Sequence, residues 1–260
     1  MVYNLKRQKQ DERDYKLQLV KVEDLPNKID LRKDCPQVFN QGDVGSCTAQ
    51  AGVAARMMLD DINTVLSRLY LYYKEREMNG DIKEDSGATM RDVCKALNKY
   101  GVCEETIWPY DVKKYADTPP IEASLKAEQY KIKSYKSLRG TPAIKEYLAV
   151  YKRPVLIGMD VYDSFESYSV AKNGKVPMPN KFESYLGGHA ILIVGYDDAL
   201  KVAKKRGFFA WLFGRKEKMV DSGCFICRNS WGAEWGDDGY FYLPYDYVNQ
   251  GLAYDAWVIE

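Results

Sequence analysis

A cysteine and the only histidine of this chain are the residues whose types and surroundings could do chemistry together. Cys47 follows Gly45 and Ser46 and starts a stretch of small and apolar residues that predicts a buried helix, with Ser46 as its N-cap. The thiolate of cysteine is a nucleophile, and the free N–H groups of a helix N-terminus stabilise it. His189 precedes a long apolar strand. Its imidazole could take the proton of Cys47 and later give it to a leaving group.

Two side-chain amides extend this pair into a catalytic set. Gln41 stands shortly before Cys47, where its amide could join a helix N–H group in binding an oxyanion. Asn229 could accept a hydrogen bond from one ring nitrogen of His189, and Trp231 could shield that bond from water. A lone buried cysteine or histidine is usually structural, so the prediction depends on the linked roles of all these residues.

The segments that carry these residues resemble the papain family of cysteine peptidases. They are Gln41 with Gly45-Ser46-Cys47, Gly101-Val102 with Trp108-Pro109-Tyr110, Pro154 to Asp160, Gly188-His189-Ala190, and Asn229-Ser230-Trp231-Gly232. The resemblance runs from about residue 25 to the C-terminus and is nearest to a subgroup with a short N-terminal pro-segment. It implies an α+β papain-like fold of two lobes, one helical and one β-rich and barrel-like, with the active-site cleft between them.

The resemblance also implies a peptide-binding cleft, although the sequence departs from the family pattern at several points. Thr48 stands where the family usually has an aromatic residue, and Gly188 where it often has an acid. The family's Gly-Gly pair is not plainly present. The residues that we expect to bind substrate are Ser86, Gly87, Met159, Gly187, Gly188 and Trp231.

Hydrophobic patterning divides the chain into two halves. Helices are predicted at 66–78, 89–100 and 120–129, and strands at 154–161, 190–196, 224–228, 239–243 and 253–259. We therefore expect a peptidase domain over 29–260, with a helical lobe at about 29–129 and a β-rich lobe at about 130–260.

Composition and charge exclude several classes of protein. The formal net charge is +1, so no global charge attracts nucleic acid. No run of residues has the length and apolarity of a transmembrane helix, and the charged N-terminus lacks the apolar core of a signal peptide. We therefore expect a cytoplasmic protein with mostly reduced thiols, although a disulfide between Cys94 and Cys103 stays open.

Two segments have more than one interpretation. Residues 1–28 are either a flexible tail or a pro-segment that blocks the cleft at high effective concentration. An insertion at 199–222 has an aromatic run between basic residues. It could touch a membrane or a partner protein, but we favour packing against its own domain. Cys224 and Cys227 suggest buried structural thiols rather than a zinc site, because zinc needs about four ligands.

The sequence as a whole predicts a cysteine endopeptidase that acts on peptides or proteins without a metal or another cofactor. Cys47 would form a thioester with the acyl part of the substrate, and His189 would act as general acid and base. The alternatives are an acyltransferase with the same fold and a peptide-binding protein without turnover.

Overall fold

Helices fill most of the first half of the chain and strands most of the second in the computed structural model, which describes residues 2–20, 22–202 and 223–260. The α-helices are α1 (Cys47–Leu59), α2 (Arg68–Asn79), α3 (Met90–Lys99), α4 (Ile121–Ala127), α5 (Gly140–Tyr151), α6 (Tyr168–Asn173) and α7 (Tyr245–Asn249). The strands are β1 (Lys28–Asp30), β2 (Tyr135–Leu138), β3 (Val155–Tyr162), β4 (Tyr185–Asp197), β5 (Cys224–Arg228), β6 (Tyr240–Pro244) and β7 (Ala253–Ile259). This mixture confirms the predicted α+β class.

Helix α1 lies at the centre of the helical region because its residues are small. A Cβ atom on Gly52 would overlap the side chain of Val93 on α3 and come within 3.2 Å of Leu71 on α2. The missing side chain therefore lets three helices approach closely. The other side of α1 packs on β4, which brings the start of the helix next to the sheet.

The strands form one antiparallel sheet in the order β2-β7-β3-β4-β5-β6, and β1 pairs with β4. The central strand β4 pairs with β3 so that His189 lies opposite Met159, and with β5 so that Leu192 lies opposite Arg228. Asn229 follows Arg228 directly. This register brings Asn229 and His189 to the same end of the sheet.

Residues 2–20 run along the fold without a regular strand, with isolated β-bridges at Asn4 and Lys16 and a turn at 12–14. We call residues 2–7 the cleft segment and residues 8–20 the strap. The strap pairs with β2, where the N–H of Ser137 donates to the carbonyl of Tyr15 and the N–H of Leu17 donates to the carbonyl of Ser137. The Nε1 of Trp257 donates to the side chain of Gln8, at 3.1 Å.

Some features differ from the sequence expectations or fall outside them. The strand β1 joins the sheet although it lies at the start of the predicted helical lobe, and β2, α5 and α6 had no counterpart among the predicted elements. All six cysteines are described and all carry free thiols, Cys94 and Cys103 included. Most of the predicted insertion, residues 203–222, lies outside the described residues. Within the described part of the chain, no helix has the length and apolarity needed to cross a membrane.

Candidate active site

Cys47 is the first residue of α1, and none of its surface is exposed. Ser46 occupies the N-cap position, but its side chain does not make the predicted capping bond. The Ser46 hydroxyl instead pairs with the hydroxyl of Tyr110 at 2.6 Å and accepts from the Nε2 of Gln50 at 3.1 Å. The first N–H groups of α1 are therefore left without this side-chain cap, as an anion-binding helix N-terminus requires.

His189 is oriented by Asn229. The Nε2 of His189 lies 2.8 Å from the Oδ1 of Asn229, which also accepts from the backbone N–H of Ser230 at 2.9 Å. An amide oxygen only accepts, so the proton of the neutral imidazole belongs on Nε2. The Nδ1 atom is then the accepting nitrogen, and it has no hydrogen-bond partner among the described residues.

Cys47 lies beside the strand that carries His189. Burial raises the pKa of Cys47 to about 12, and the backbone N–H of Ala190, the residue after His189, offsets only part of that rise. Burial lowers the pKa of His189 to about 4 despite the bond to Asn229. In this arrangement the two groups are a neutral thiol and a neutral imidazole at pH 7.

The side chain of Gln41 is held at both ends of its amide. Its Oε1 accepts from the hydroxyl of Ser230 at 2.7 Å, and its Nε2 donates to the carbonyl of Val44 at 3.0 Å. The same Nε2 lies 3.5 Å from the carbonyl oxygen of Val2 in the cleft segment. The amide of Gln41 therefore presents an N–H group to a backbone carbonyl of the cleft segment.

Aromatic rings cover the imidazole. The ring of Trp231 lies 5.4 Å from that of His189, and Phe165 packs against Trp231 at 5.3 Å between ring centroids. Tyr3 meets the imidazole edge to face at 6.0 Å and donates its hydroxyl to Glu166. The predicted position of Trp231 over the histidine is therefore present, and Phe165 and Tyr3 add to the cover.

The cleft segment binds to the walls on both sides of this site through its backbone. The N–H of Leu5 donates to the carbonyl of Gly188 at 3.1 Å, and the N–H of Lys6 donates to the carbonyl of Ala88 at 3.0 Å. Asn4 forms a parallel β-bridge with Gly188. Two walls separated by 100 residues in sequence therefore bind one extended strand between them.

The glycines among the predicted substrate-binding residues lie along this segment. A Cβ atom on Gly87, which has a φ of +66°, would overlap the carbonyl oxygen of Asn4. A Cβ atom on Gly187 would come within 2.6 Å of Tyr3 Cβ, and one on Gly188 within 2.6 Å of the carbonyl oxygen of Leu5. Glycine is needed at these positions because another backbone passes so close.

Ser86 and Met159, also predicted to bind substrate, have other surroundings. The hydroxyl of Ser86 bonds Asp81 at 3.4 Å, and Met159 is wholly buried in β3. Leu5 instead contacts Gly158, where a Cβ atom would come within 2.6 Å of its side chain. A glycine inside an apolar strand signals close approach of another backbone or ligand, so Gly158 could have been found from the sequence.

Ion pairs and a cation–π contact fix the end of the cleft segment. The guanidinium of Arg7 pairs with Asp160 at 3.2 Å and lies 3.9 Å from the ring centroid of Tyr254. Lys6 pairs with Asp81 at 3.3 Å. The side chain of Leu5 is 7% exposed, so the segment buries an apolar side chain between these polar contacts.

Comparison with known proteins identifies a family and solved structures to which this chain is similar. Residues 25–257 match the profile of the papain family of cysteine proteases. A peptidase C1-like protein of Acanthamoeba polyphaga mimivirus is 38% identical over 251 residues, which cover 89% of this chain and 74% of the viral protein. The crystal structure of xylellain, a cysteine protease from Xylella fastidiosa, superposes with a TM-score of 0.81 and 35% identity, covering 99% of this chain and 95% of that one. Digestive procathepsin L 3 of Tenebrio molitor, at 20% identity and a TM-score of 0.68, covers 95% of this chain and 74% of its own and shares the fold.

Proposed function

This chain belongs to the papain family of cysteine proteases, and from that premise we propose which residues carry out its reaction and how its own N-terminus regulates it. The protein is a cysteine endopeptidase, and its substrates are peptides or proteins. An acyltransferase or a peptide-binding protein without turnover is not favoured by these relatives.

Cys47 is the nucleophile in this proposal and His189 its base. The sulfur attacks the scissile carbonyl as its proton passes to Nδ1 of His189, and the N–H of Cys47 and Nε2 of Gln41 bind the oxyanion. His189 then protonates the leaving amine, and a thioester stays on Cys47. Water attacks the thioester with His189 as base and releases the acid. The observation that carries the assignment is the bond from Nε2 of His189 to Asn229, because it leaves Nδ1 free to accept the proton.

The second part of the proposal is that the cleft segment holds the enzyme in a blocked form. Its support is that Leu5 and Lys6 bond to opposite walls of the cleft, and that the carbonyl of Val2 lies 3.5 Å from Nε2 of Gln41. A peptide substrate needs the same backbone groups and the same oxyanion donor. Because the segment is tethered to the domain, even weak contacts compete well with a free substrate.

The test compares two substitutions that each introduce a glutamate into the N-terminal segment. Leu5→Glu places a carboxylate where the side chain is 7% exposed, whereas Val20→Glu changes a side chain that is 88% exposed. Burying an unpaired carboxylate is costly, so Leu5→Glu should release the cleft segment. We expect it to raise the rate of hydrolysis of a mixed peptide library at least tenfold, with Val20→Glu close to the parent chain.

A second measurement follows the thiol itself. Burial raises the pKa of Cys47 in the blocked form, so release by Leu5→Glu should move the pH profile of Cys47 alkylation to lower pH. Cys47→Ala should abolish hydrolysis in every background. Equal rates and equal alkylation profiles for Leu5→Glu and the parent would show that the segment does not block the enzyme. Hydrolysis by Cys47→Ala would refute the assignment of the nucleophile.

A further inference from the structure

The loop that precedes Cys47 is held by a carboxylate that the sequence did not single out. The backbone N–H of Gly45 points between the two carboxylate oxygens of Asp85, at 3.0 Å from Oδ1 and 2.9 Å from Oδ2. Gly45 lies two residues before Cys47. A hydrogen bond to a charged acceptor is among the stronger ones in proteins, so this contact fixes the backbone immediately before the nucleophile.

A buried tyrosine extends this contact to the backbone of Gly87, against which the cleft segment packs. The hydroxyl of Tyr72 on α2 donates to Oδ1 of Asp85 and accepts from the backbone N–H of Gly87 at 3.1 Å. Burial, with the bond to Asp85, raises the pKa of Tyr72 well above its ordinary value, so the hydroxyl keeps the proton that it donates. Gly45 and Gly87 are thereby joined through two side chains.

The loop that carries Asp85 is itself fixed to α2. The guanidinium of Arg76, which is wholly buried, donates to the carbonyl of Ile82 at 2.8 Å and to that of Glu84 at 2.9 Å. It also lies 4.1 Å from the ring centroid of Tyr72. Because Arg76 and Tyr72 lie on one helix, the loop that carries Asp85 is bound to the same element as the Tyr72 hydroxyl.

The cleft segment touches both ends of this connection through Asn4. The side chain of Asn4 lies within 2.6 Å of the Cβ position of Gly45, and its carbonyl oxygen packs directly on Gly87. Its Nδ2 also donates to the backbone carbonyl of Asp85, at 2.6 Å. The distance between the nucleophile loop and the peptide-binding backbone is therefore set by the residues that join Gly45 to Gly87.

We propose that Asp85 and Tyr72 are positioning residues for peptide hydrolysis, with Asp85 fixing the nucleophile loop and Tyr72 setting its distance from the backbone that binds the peptide. The inference rests on the proposed role of Cys47. Neither side chain touches the reacting atoms, so each acts on turnover through the backbone that it holds. Misplacing a reacting group by about 1 Å costs up to about 100-fold in rate.

The test uses substitutions in the full chain, each made also with Leu5→Glu so that an open cleft is available. Asp85→Ala should lower kcat/KM by about 10- to 100-fold and slow alkylation of Cys47. Asp85→Asn keeps an oxygen that can accept from Gly45, and we expect it to recover most of kcat. Tyr72→Phe removes the acceptor for the N–H of Gly87, so it should raise KM more than it lowers the alkylation rate.

Matched controls separate positioning from general stability. Asp197 likewise accepts a loop N–H, from Ala199 at 2.9 Å, and lies eight residues along β4 from His189. Tyr70 is a buried tyrosine on α2 whose hydroxyl lies 3.5 Å from that of Ser124. Asp197→Ala and Tyr70→Phe should therefore leave kcat and KM per active site near those of the parent, whatever they do to the melting temperature.

Two results would overturn the proposal. One is that Asp85→Ala and Tyr72→Phe match their controls in kcat, KM and alkylation once active sites are titrated. The other is that Asp85→Asn has a kcat no higher than that of Asp85→Ala. The loss of activity would then not be due to the missing bond to Gly45. If Cys47→Ala still hydrolyses peptides, the proposed catalytic assignment fails instead, and the two failures stay distinct.

Discussion

Ser230 orients both amides of the site. Its hydroxyl donates to Oε1 of Gln41, and its backbone N–H donates to Oδ1 of Asn229. The first bond turns Nε2 of Gln41 towards the cleft, and the second turns the oxygen of Asn229 towards His189. Ser230 thus orients the amides of both Gln41 and Asn229.

A prediction at the residue scale follows for Ser230→Ala. Losing the hydroxyl frees the amide of Gln41 to rotate, so we expect kcat to fall about tenfold. Gln41→Ala removes the oxyanion donor itself and should cost about 100- to 1,000-fold. Steady-state kinetics of the single variants and the double variant check this, because two residues that act through one donor are not additive. A full tenfold loss from Ser230→Ala in the Gln41→Ala background would contradict it.

At the scale of elements, α1 and α2 share a buried polar contact directly behind the nucleophile. The hydroxyl of Thr48 donates to Oε2 of Glu75 at 2.5 Å, and the other oxygen of Glu75 has no hydrogen-bond partner among the described residues. Burial raises the pKa of Glu75 well above its ordinary value. Its ionisation would also raise the pKa of Cys47, so the neutral carboxyl favours the thiolate.

The pH dependence of stability tests this interface. The unfolded chain releases the Glu75 proton above its ordinary pKa while the folded chain keeps it, so unfolding is favoured as pH rises. The free energy of unfolding should therefore lose up to about 1.4 kcal/mol per pH unit above about pH 4.5 through this group. Glu75→Gln removes that loss. The free energy of unfolding of this variant, compared with that of the parent chain at the same pH, should therefore be higher at pH 8 than at pH 4.5.

Urea unfolding at several pH values measures the difference. Glu77→Gln is the matched control, because Glu77 lies on the same helix and pairs with Lys74 on its exposed side. We expect the control to keep the parent's dependence on pH. If Glu75→Gln also keeps it, the carboxyl of Glu75 is ionised in the folded protein, and the description of a neutral buried group is wrong.

What could be predicted from the sequence differs between elements for physical reasons. The amphipathic helix α3 and the long apolar run of β4 carry strong patterns, and His189 and Asn229 could be placed because each adjoins an apolar strand. The strands β1 and β2 have three and four residues, which is too few for a periodic signal. Helix α5 begins with Gly140 and has Pro142 in its first turn, residues that are also typical of turns.

The contacts of Asp85, Tyr72 and Ser230 could not be predicted, because each joins backbone groups that meet only in the folded chain. The path of the N-terminus could not be predicted from the sequence either. Its sequence allowed a tail or a blocking segment, and what distinguishes these is the approach of Asn4 and Leu5 to glycines far along the chain.

At the scale of the whole molecule, the N-terminal residues divide into two parts with different anchors. In the proposed blocked form the cleft segment competes with substrate, whereas the strap is fixed outside the cleft by the ion pair between Asp14 and Arg91 and by the backbone pairing with Ser137. The N–H of Gln8 also donates to Asp255 at 3.1 Å. The strap is therefore bound to β2, to β7 and to α3.

Two truncations test this division. Removing residues 2–7 should leave the melting temperature within a few degrees of that of the full chain and raise peptidase activity. Removing residues 2–20 should raise activity as well but lower the melting temperature clearly, because it also removes the pairing with β2 and the pair to Arg91. Calorimetry of the full chain and of both truncated proteins measures the melting temperatures. Equal melting temperatures would show that the strap adds nothing to the fold.

The pairing of the strap with β2 limits how many N-terminal residues can be removed before an edge of the sheet is exposed. The strand β2 is the outermost strand at one end of the sheet, and Tyr15 and Leu17 occupy its outward backbone groups at Ser137. Unpaired edge strands recruit strands from other chains and lead to aggregation. We expect proteolysis that stops before Tyr15 to keep this pairing, and proteolysis beyond it to expose the backbone groups of Ser137. The strap would then protect this edge of the sheet even in a chain that has lost the cleft segment.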